Sequence, residues 1–120
     1  MRLSEELRNR TKRFASDVIR FYVELPHVRN EVEVVGHQLL RSGTSVAAHA
    51  REASRARSEA EFCAKLDGLL QEADEAQLWL ELMREDCGVQ SEVGGRLHRE
   101  AGELMAIFTT MVSKLRKAGS

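Results

Sequence analysis

An all-α fold, an up-down-up-down antiparallel four-helix bundle forming a single domain over residues 1–120, is predicted by three features of the sequence. Apolar residues recur at alternating steps of four and three through four long stretches, the spacing of a helix seam turned towards its neighbours. Only short connections separate those stretches, which leaves consecutive helices antiparallel. The chain has one proline, few aromatic residues and few β-branched runs, so no segment reads as a sheet strand.

The first predicted helix opens at Ser4, whose hydroxyl can cap free amides, with Glu5 and Glu6 well placed in its first turn. Its seam is Leu7, Thr11, Phe14, Val18, Phe21 and Leu25, and Pro26 ends it by disfavouring helical geometry at the preceding residue. Asn30 and Glu33 form a predicted capping box for the second helix. That helix packs through Val32, Val35, Leu39, Ser42 and Val46, flanked by Gly36, Leu40, Gly43, Ala47 and Ala50. A glycine inside a helix costs about 1 kcal/mol relative to alanine, so Gly36 and Gly43 predict close approach by a neighbouring helix.

A corner over Ala53 to Arg57 leads to a second capping box, Ser58 with Glu61. The third helix carries the clearest periodicity: Phe62, Leu66, Leu69, Ala73, Ala76, Leu80, Met83 and Cys87. A second line, Ala64, Gly68, Gln71, Glu75, Leu78 and Leu82, runs along another face, with Trp79 between the two. That is more apolar surface than one bundle core needs. It favours a subunit contact through Leu78, Trp79 and Leu82, joined by Ile19 and Tyr22 from the first helix, over a helix sandwiched within the bundle. Arg41 interrupts the small-residue side of the second helix and is expected to pair with Glu72 or Glu75, or with a neighbouring subunit. Gly88 stops the third helix and Ser91 caps the fourth, whose seam is Leu97, Ala101, Leu104, Phe108, Met111 and Leu115.

The function classes excluded at this stage are several. No apolar run approaches the roughly 20 residues needed to span a bilayer, and the charged opening MRLSEELRNRTKRF lacks a secretory apolar region, so a cytoplasmic protein with no membrane partner is expected. Cys63 and Cys87 fall on apolar positions many turns apart and are expected to be buried thiols. No metal or cofactor is predicted: the Glu24–His27 spacing spans Pro26, and Glu33 with His37 is expected to be an exposed pair. His49 and His98 have no partner at metal-ligand spacing. Ser45 and His49 stand one turn apart without an orienting acid or oxyanion loop, and Ser42 and Thr44 are accounted for by bonds to helix carbonyls, so no catalytic residues and no enzyme are predicted.

The segment QLLRSGTSVAAHAREASRARSEAEF (38–62), continuing through AKLDGLLQEADEAQLWLELM (64–83), resembles the four-helix bundle proteins encoded in intervening sequences of bacterial 23S rRNA genes and in other bacterial loci. Gln38, Arg41, Ser45, Glu52, Ala53, Arg57, Ser58 and Phe62 match that family's pattern, whereas His49 and Ala50 stand where it has an asparagine and its neighbour. The resemblance implies a homopentameric barrel. It also implies kinship with the accessory protein of diversity-generating retroelements, and so a nucleic acid or a reverse transcriptase as a partner.

Up-down topology would gather Arg2, Arg8, Arg10, Lys12, Arg13, Arg51, Arg55, Arg57, Lys114, Arg116 and Lys117 at one pole, in a chain whose net charge is only -1. Binding of RNA or DNA there, tolerant of sequence, is one expectation. No aromatic is interleaved, which argues against base stacking as the main contact. The alternatives are that these cations complement helix ends and pair with local carboxylates, or that the protein is an interaction scaffold whose acidic third helix recruits a basic partner.

Overall fold

The computed structural model describes residues 3–119. Four helices follow one another: α1 (Glu5–Val23), α2 (Asn30–Ser54), α3 (Glu59–Glu85) and α4 (Glu92–Gly119). Each packs on the next and α4 closes back on α1, while among the described residues the backbones of the diagonal pairs α1–α3 and α2–α4 stay apart. The result is a square bundle shaped as a rod of 50 × 21 × 20 Å.

Local signals set most of the boundaries. Ser4 Oγ accepts from the Leu7 amide at 3.1 Å, Ser58 Oγ from Glu61 at 3.0 Å and Ser91 Oγ from Gly94 at 3.2 Å, so three predicted caps form. Gly88 has φ +69°, the left-handed conformation that ends α3 and turns the chain towards α4. Across that turn, Arg29 Nη2 donates to the Cys87 carbonyl at 2.7 Å and ties the α1–α2 connection to the α3–α4 connection.

The core follows the predicted seams. Phe62, Leu66, Leu69, Ala73, Ala76, Leu80, Met83 and Cys87 are all buried, against Phe14, Val18 and Phe21 of α1, Leu39 and Val46 of α2 and Leu97, Leu104 and Phe108 of α4. Cys63 and Cys87 are both buried free thiols. Ser42 Oγ and Thr44 Oγ1 donate to the carbonyls of Leu39 (3.3 Å) and Leu40 (2.8 Å), which satisfies them within their own helix.

Two expectations change. The last turns of α4 bury Val112, with Met111 and Leu115 only partly covered. A straight helix drifts about 20° per heptad against a strict seven-residue repeat, and over α4 that drift moves the seam onto Val112. At the start of α2, the cap position is Arg29, which makes no side-chain cap, and Asn30 is already helical. Glu33 does not reach back to an amide because three other groups claim its carboxylate, as described below.

The glycines of α2 are where α1 comes closest. A Cβ on Gly43 would lie 2.8 Å from Val18 Cγ1, and one on Gly36 would lie 3.2 Å from Tyr22 and Leu25. By contrast, the nearest atom to a Cβ on Gly95 would be Arg99 Nη1 at 3.7 Å. Gly43→Ala is therefore expected to lower stability by about 1–2 kcal/mol, as overpacking against a buried valine outweighs the gain in helix propensity. Gly95→Ala should raise it by about 0.5–1 kcal/mol. Urea midpoints of the two variants read the opposite signs directly.

Candidate nucleic-acid interface

At the end of the rod where α1 begins and α2 ends, a groove of about 1100 Å³ opens over α2. Arg8 and Lys12, one turn apart on α1, line one side; Arg51 of α2 and Arg55 just beyond it line the middle; Glu61 and Lys65 of α3 form the far edge. Its buried lining residues are Thr11, Ala50 and Ser54, with Ala47 and Ala48 beside them, side chains too short to fill the valley. No aromatic ring lines it.

Three carboxylates also line the groove, Glu5, Glu52 and Glu61, and two of them pair with other cations. Glu52 lies 3.7 Å from Lys65 Nζ and Glu61 lies 3.7 Å from Arg57 Nε. Among the described residues, no carboxylate comes within 4 Å of the Arg8, Lys12, Arg51 or Arg55 side chains, and all four are exposed. The groove thus holds five cations, Lys65 included, against the three carboxylates Glu5, Glu52 and Glu61, and four of those cations have no ion-pair partner among the described residues.

The rest of the predicted basic pole is distributed around the bundle. Arg10 faces α4, where Nε and Nη2 donate to Glu100 at 2.7 Å each and Nη2 also donates to Glu103 at 2.8 Å. Hydrogen bonding from Arg10 holds the Glu100 carboxyl below its ordinary range. Arg13 lines a smaller recess on the same α1–α4 seam. Arg116 is tied to Asp67 of α3 at 2.6 Å, and Arg57 pairs with Glu61 while remaining 90 % exposed. Lys114 and Lys117 are exposed in the last turns of α4, and Arg2 lies outside the described residues. The separation has a simple cause: successive residues turn by about 100° on a helix, so Arg10 points some 200° away from Arg8.

The predicted contact residues divide similarly. Ile19 and Leu78 are each 44 % exposed, but they lie on α1 and α3, the two diagonal helices. Trp79 is half-buried against the core, and Leu82 is half-buried beside it on α3. Arg41 bridges α2 to α3 within the chain, with Nη2 2.9 Å from Glu75 and Nη1 3.4 Å from Glu72. Tyr22 is half-buried at the opposite end of the rod from the groove, in a cluster that sequence periodicity does not indicate.

There Glu33 Oε1 accepts from Tyr22 Oη at 2.5 Å, Glu33 Oε2 lies 2.6 Å from His27 Nδ1, and His37 Nε2 lies 2.9 Å from Oε1. The Tyr22 ring packs edge-on to His27 and stacks with His37. The i,i+4 spacing of Glu33 and His37 was readable; the return of His27 and Tyr22 from across the turn was not. No group of three or more His, Cys, Asp or Glu among the described residues is arranged to hold a metal ion.

With this geometry in view, comparison with known proteins is decisive about kinship. The model of the family described as 23S rRNA-intervening sequence protein matches residues 5–110. The chain belongs to that family. It is also similar to the crystal structure of a protein of unknown function from the S23 ribosomal protein family of Bacteroides thetaiotaomicron, with 30% sequence identity and a TM-score of 0.80. The match covers 88% of this chain and 97% of that one. No curated protein matches the chain. The family match takes in α1, α2 and α3 whole and α4 as far as residue 110, and no helix among the described residues is long and apolar enough to cross a membrane.

The Glu33 cluster gives a pH dependence of defined sign. Hydrogen bonding to Glu33 raises His27 above its ordinary value, and hydrogen bonds from Tyr22 and His27 lower Glu33. The histidine contribution is complete below its unfolded value and is lost as pH rises through the raised one. The carboxylate contribution is complete above its unfolded value and is lost as pH falls through the lowered one. The stability advantage over His27→Gln should therefore be greatest at about pH 5–6 and shrink as pH rises above the unfolded imidazole value of about 6.5, measured by urea midpoints across that range.

Proposed function

We propose that this family member is a non-enzymatic, cytoplasmic protein that binds RNA or DNA through the phosphate backbone, without reading sequence. The observation that carries the proposal is the groove at Arg8, Lys12, Arg51 and Arg55, where cations converge with no carboxylate in pairing range among the described residues. Elsewhere on the bundle, Arg10, Arg41, Arg96 and Arg116 are each neutralised by acids on a neighbouring helix. The groove's unpaired cations are the long side chains of Arg8, Lys12, Arg51 and Arg55, so recognition falls to charge.

Four phosphate contacts make a weak, salt-sensitive site. Affinity for a duplex should fall roughly a hundredfold between about 50 and 200 mM salt. Arg51→Gln combined with Arg55→Gln should flatten the logarithmic salt slope by about two units. Arg84→Gln, an equal charge loss per site at the far end of α3, should leave the slope unchanged. Fluorescence anisotropy across a salt series measures all three; absence of binding at low salt, or binding indifferent to salt, removes the proposal.

Self-association belongs to the same proposal. Exposed apolar residues on diagonal helices, Ile19 on α1 and Leu78 on α3, suit a head-to-tail contact between unlike faces, which closes into a ring when the rotation permits. A ring would also repeat the groove and raise its effective affinity. Leu78→Glu is expected to reduce the mass seen by light scattering with helix content unchanged; an unaltered mass would place the contact elsewhere.

A second reading is favoured by the other side of α3, where Leu78 is flanked by Asp74, Glu75 and Glu81 around a recess of about 240 Å³. An exposed apolar residue among acids suits a basic protein partner, which would make the bundle an interaction scaffold. Under that reading, Asp74→Asn with Glu81→Gln would weaken partner binding, and nucleic acid would not be retained.

A further inference from the structure

We infer that the groove selects double-stranded over single-stranded nucleic acid. This rests on the reading of the groove as a phosphate site and adds to it the form of the ligand.

The cations lie in two rows on antiparallel helices, Arg8 and Lys12 on α1, Arg51 and Arg55 along the end of α2. Within each row the four-residue step is a rise of about 6 Å. Packed helices stand about 8–10 Å apart, and α1 lies close on α2 because Val18 and Tyr22 rest on Gly43 and Gly36. Between the rows, short side chains, Ala47, Ala48 and Ala50 with Thr11 and Ser54, leave the groove open. Two parallel rows of charge can each follow one of the two phosphate rows that flank a groove of a duplex. Long arginine and lysine side chains supply the remaining reach.

A single strand would gain much less here. It offers one row of phosphates where a duplex offers two, so a single strand can satisfy one row well and the other poorly. Proteins that hold single strands recover the cost of ordering a flexible chain by stacking bases on aromatic rings. This groove has no ring on its walls or floor. A duplex is already stiff and keeps its bases stacked on one another, so the missing rings cost it nothing.

The test uses the full chain with a short blunt-ended duplex and with each of its separated strands, chosen not to self-pair, in DNA and in RNA versions. Anisotropy titrations at low salt should give the duplex at least about a tenfold tighter dissociation constant than either strand, with a steeper salt slope. Removing the α2 row with Arg51→Gln and Arg55→Gln, both exposed, should bring duplex and single strand to near parity, because one row remains. Single strands binding as tightly as the duplex, or a duplex preference that survives loss of that row, would overturn the inference while leaving phosphate binding intact. If neither form binds, the proposed function itself fails, an outcome distinct from the other two. A preference confined to the DNA or to the RNA duplex supports the inference and identifies the source.

Discussion

The seating of Val18 on Gly43 is the constraint from which the arrangement at the groove follows. With no side chain at Gly43, α1 and α2 approach until the valine methyl groups fill the space a Cβ would need, and the register between the helices becomes fixed. Arg8 lies ten residues before Val18 and Arg51 lies eight residues after Gly43, rises of about 15 and 12 Å in the same direction along the rod. The two cation rows therefore arrive at one level because of a packing event far from the groove. Gly36 beneath Tyr22 and Leu25 repeats the close approach and brings Tyr22 to Glu33.

Local chemistry was legible and rotational placement was not. Ser4, Ser58 and Ser91 form the expected caps because each bond is settled within four residues, and the α3 seam is buried as its spacing predicts because eight apolar positions agree on one face. The basic pole is visible in the sequence only as a level along the rod. Which seam each arginine faces depends on the neighbouring helix, so Arg10 is drawn to Glu100 and Arg116 to Asp67, while Arg8 and Arg51 face the groove. Lys12 and Arg51 did carry a signal: neither has a carboxylate three or four residues away on its own helix. The Glu33 cluster lay beyond reach because His27 follows Pro26 in a connection whose path no periodicity describes.

Ion pairs on the seams have a consequence other than stability. Exposed pairs such as Arg41 with Glu75 or Arg116 with Asp67 contribute little to stability, because water and salt screen them. Their larger effect is on the field outside the protein. By neutralising arginines on three seams, they leave the groove as a place where positive charge stays in excess, in a chain whose net charge is -1. The family match fixes the bundle but not this distribution, since charge partners are set by side chains on adjacent helices.

Helix dipoles do not create that field. The same end of the rod collects the N-termini of α1 and α3 and the C-termini of α2 and α4. Each N-terminus acts as roughly half a positive charge and each C-terminus as roughly half a negative one, so the four ends nearly cancel. Glu5 and Glu59 sit in the first turns of α1 and α3 and Arg51 in the last turn of α2, which neutralises the ends further. What an approaching anion meets is then set by flexible side chains in water, where potentials decay within about 10 Å at 0.1 M salt. A site of that kind can hold a polyanion that lies along it and touches several cations at once, and it gives little affinity to a small anion that can touch only one or two.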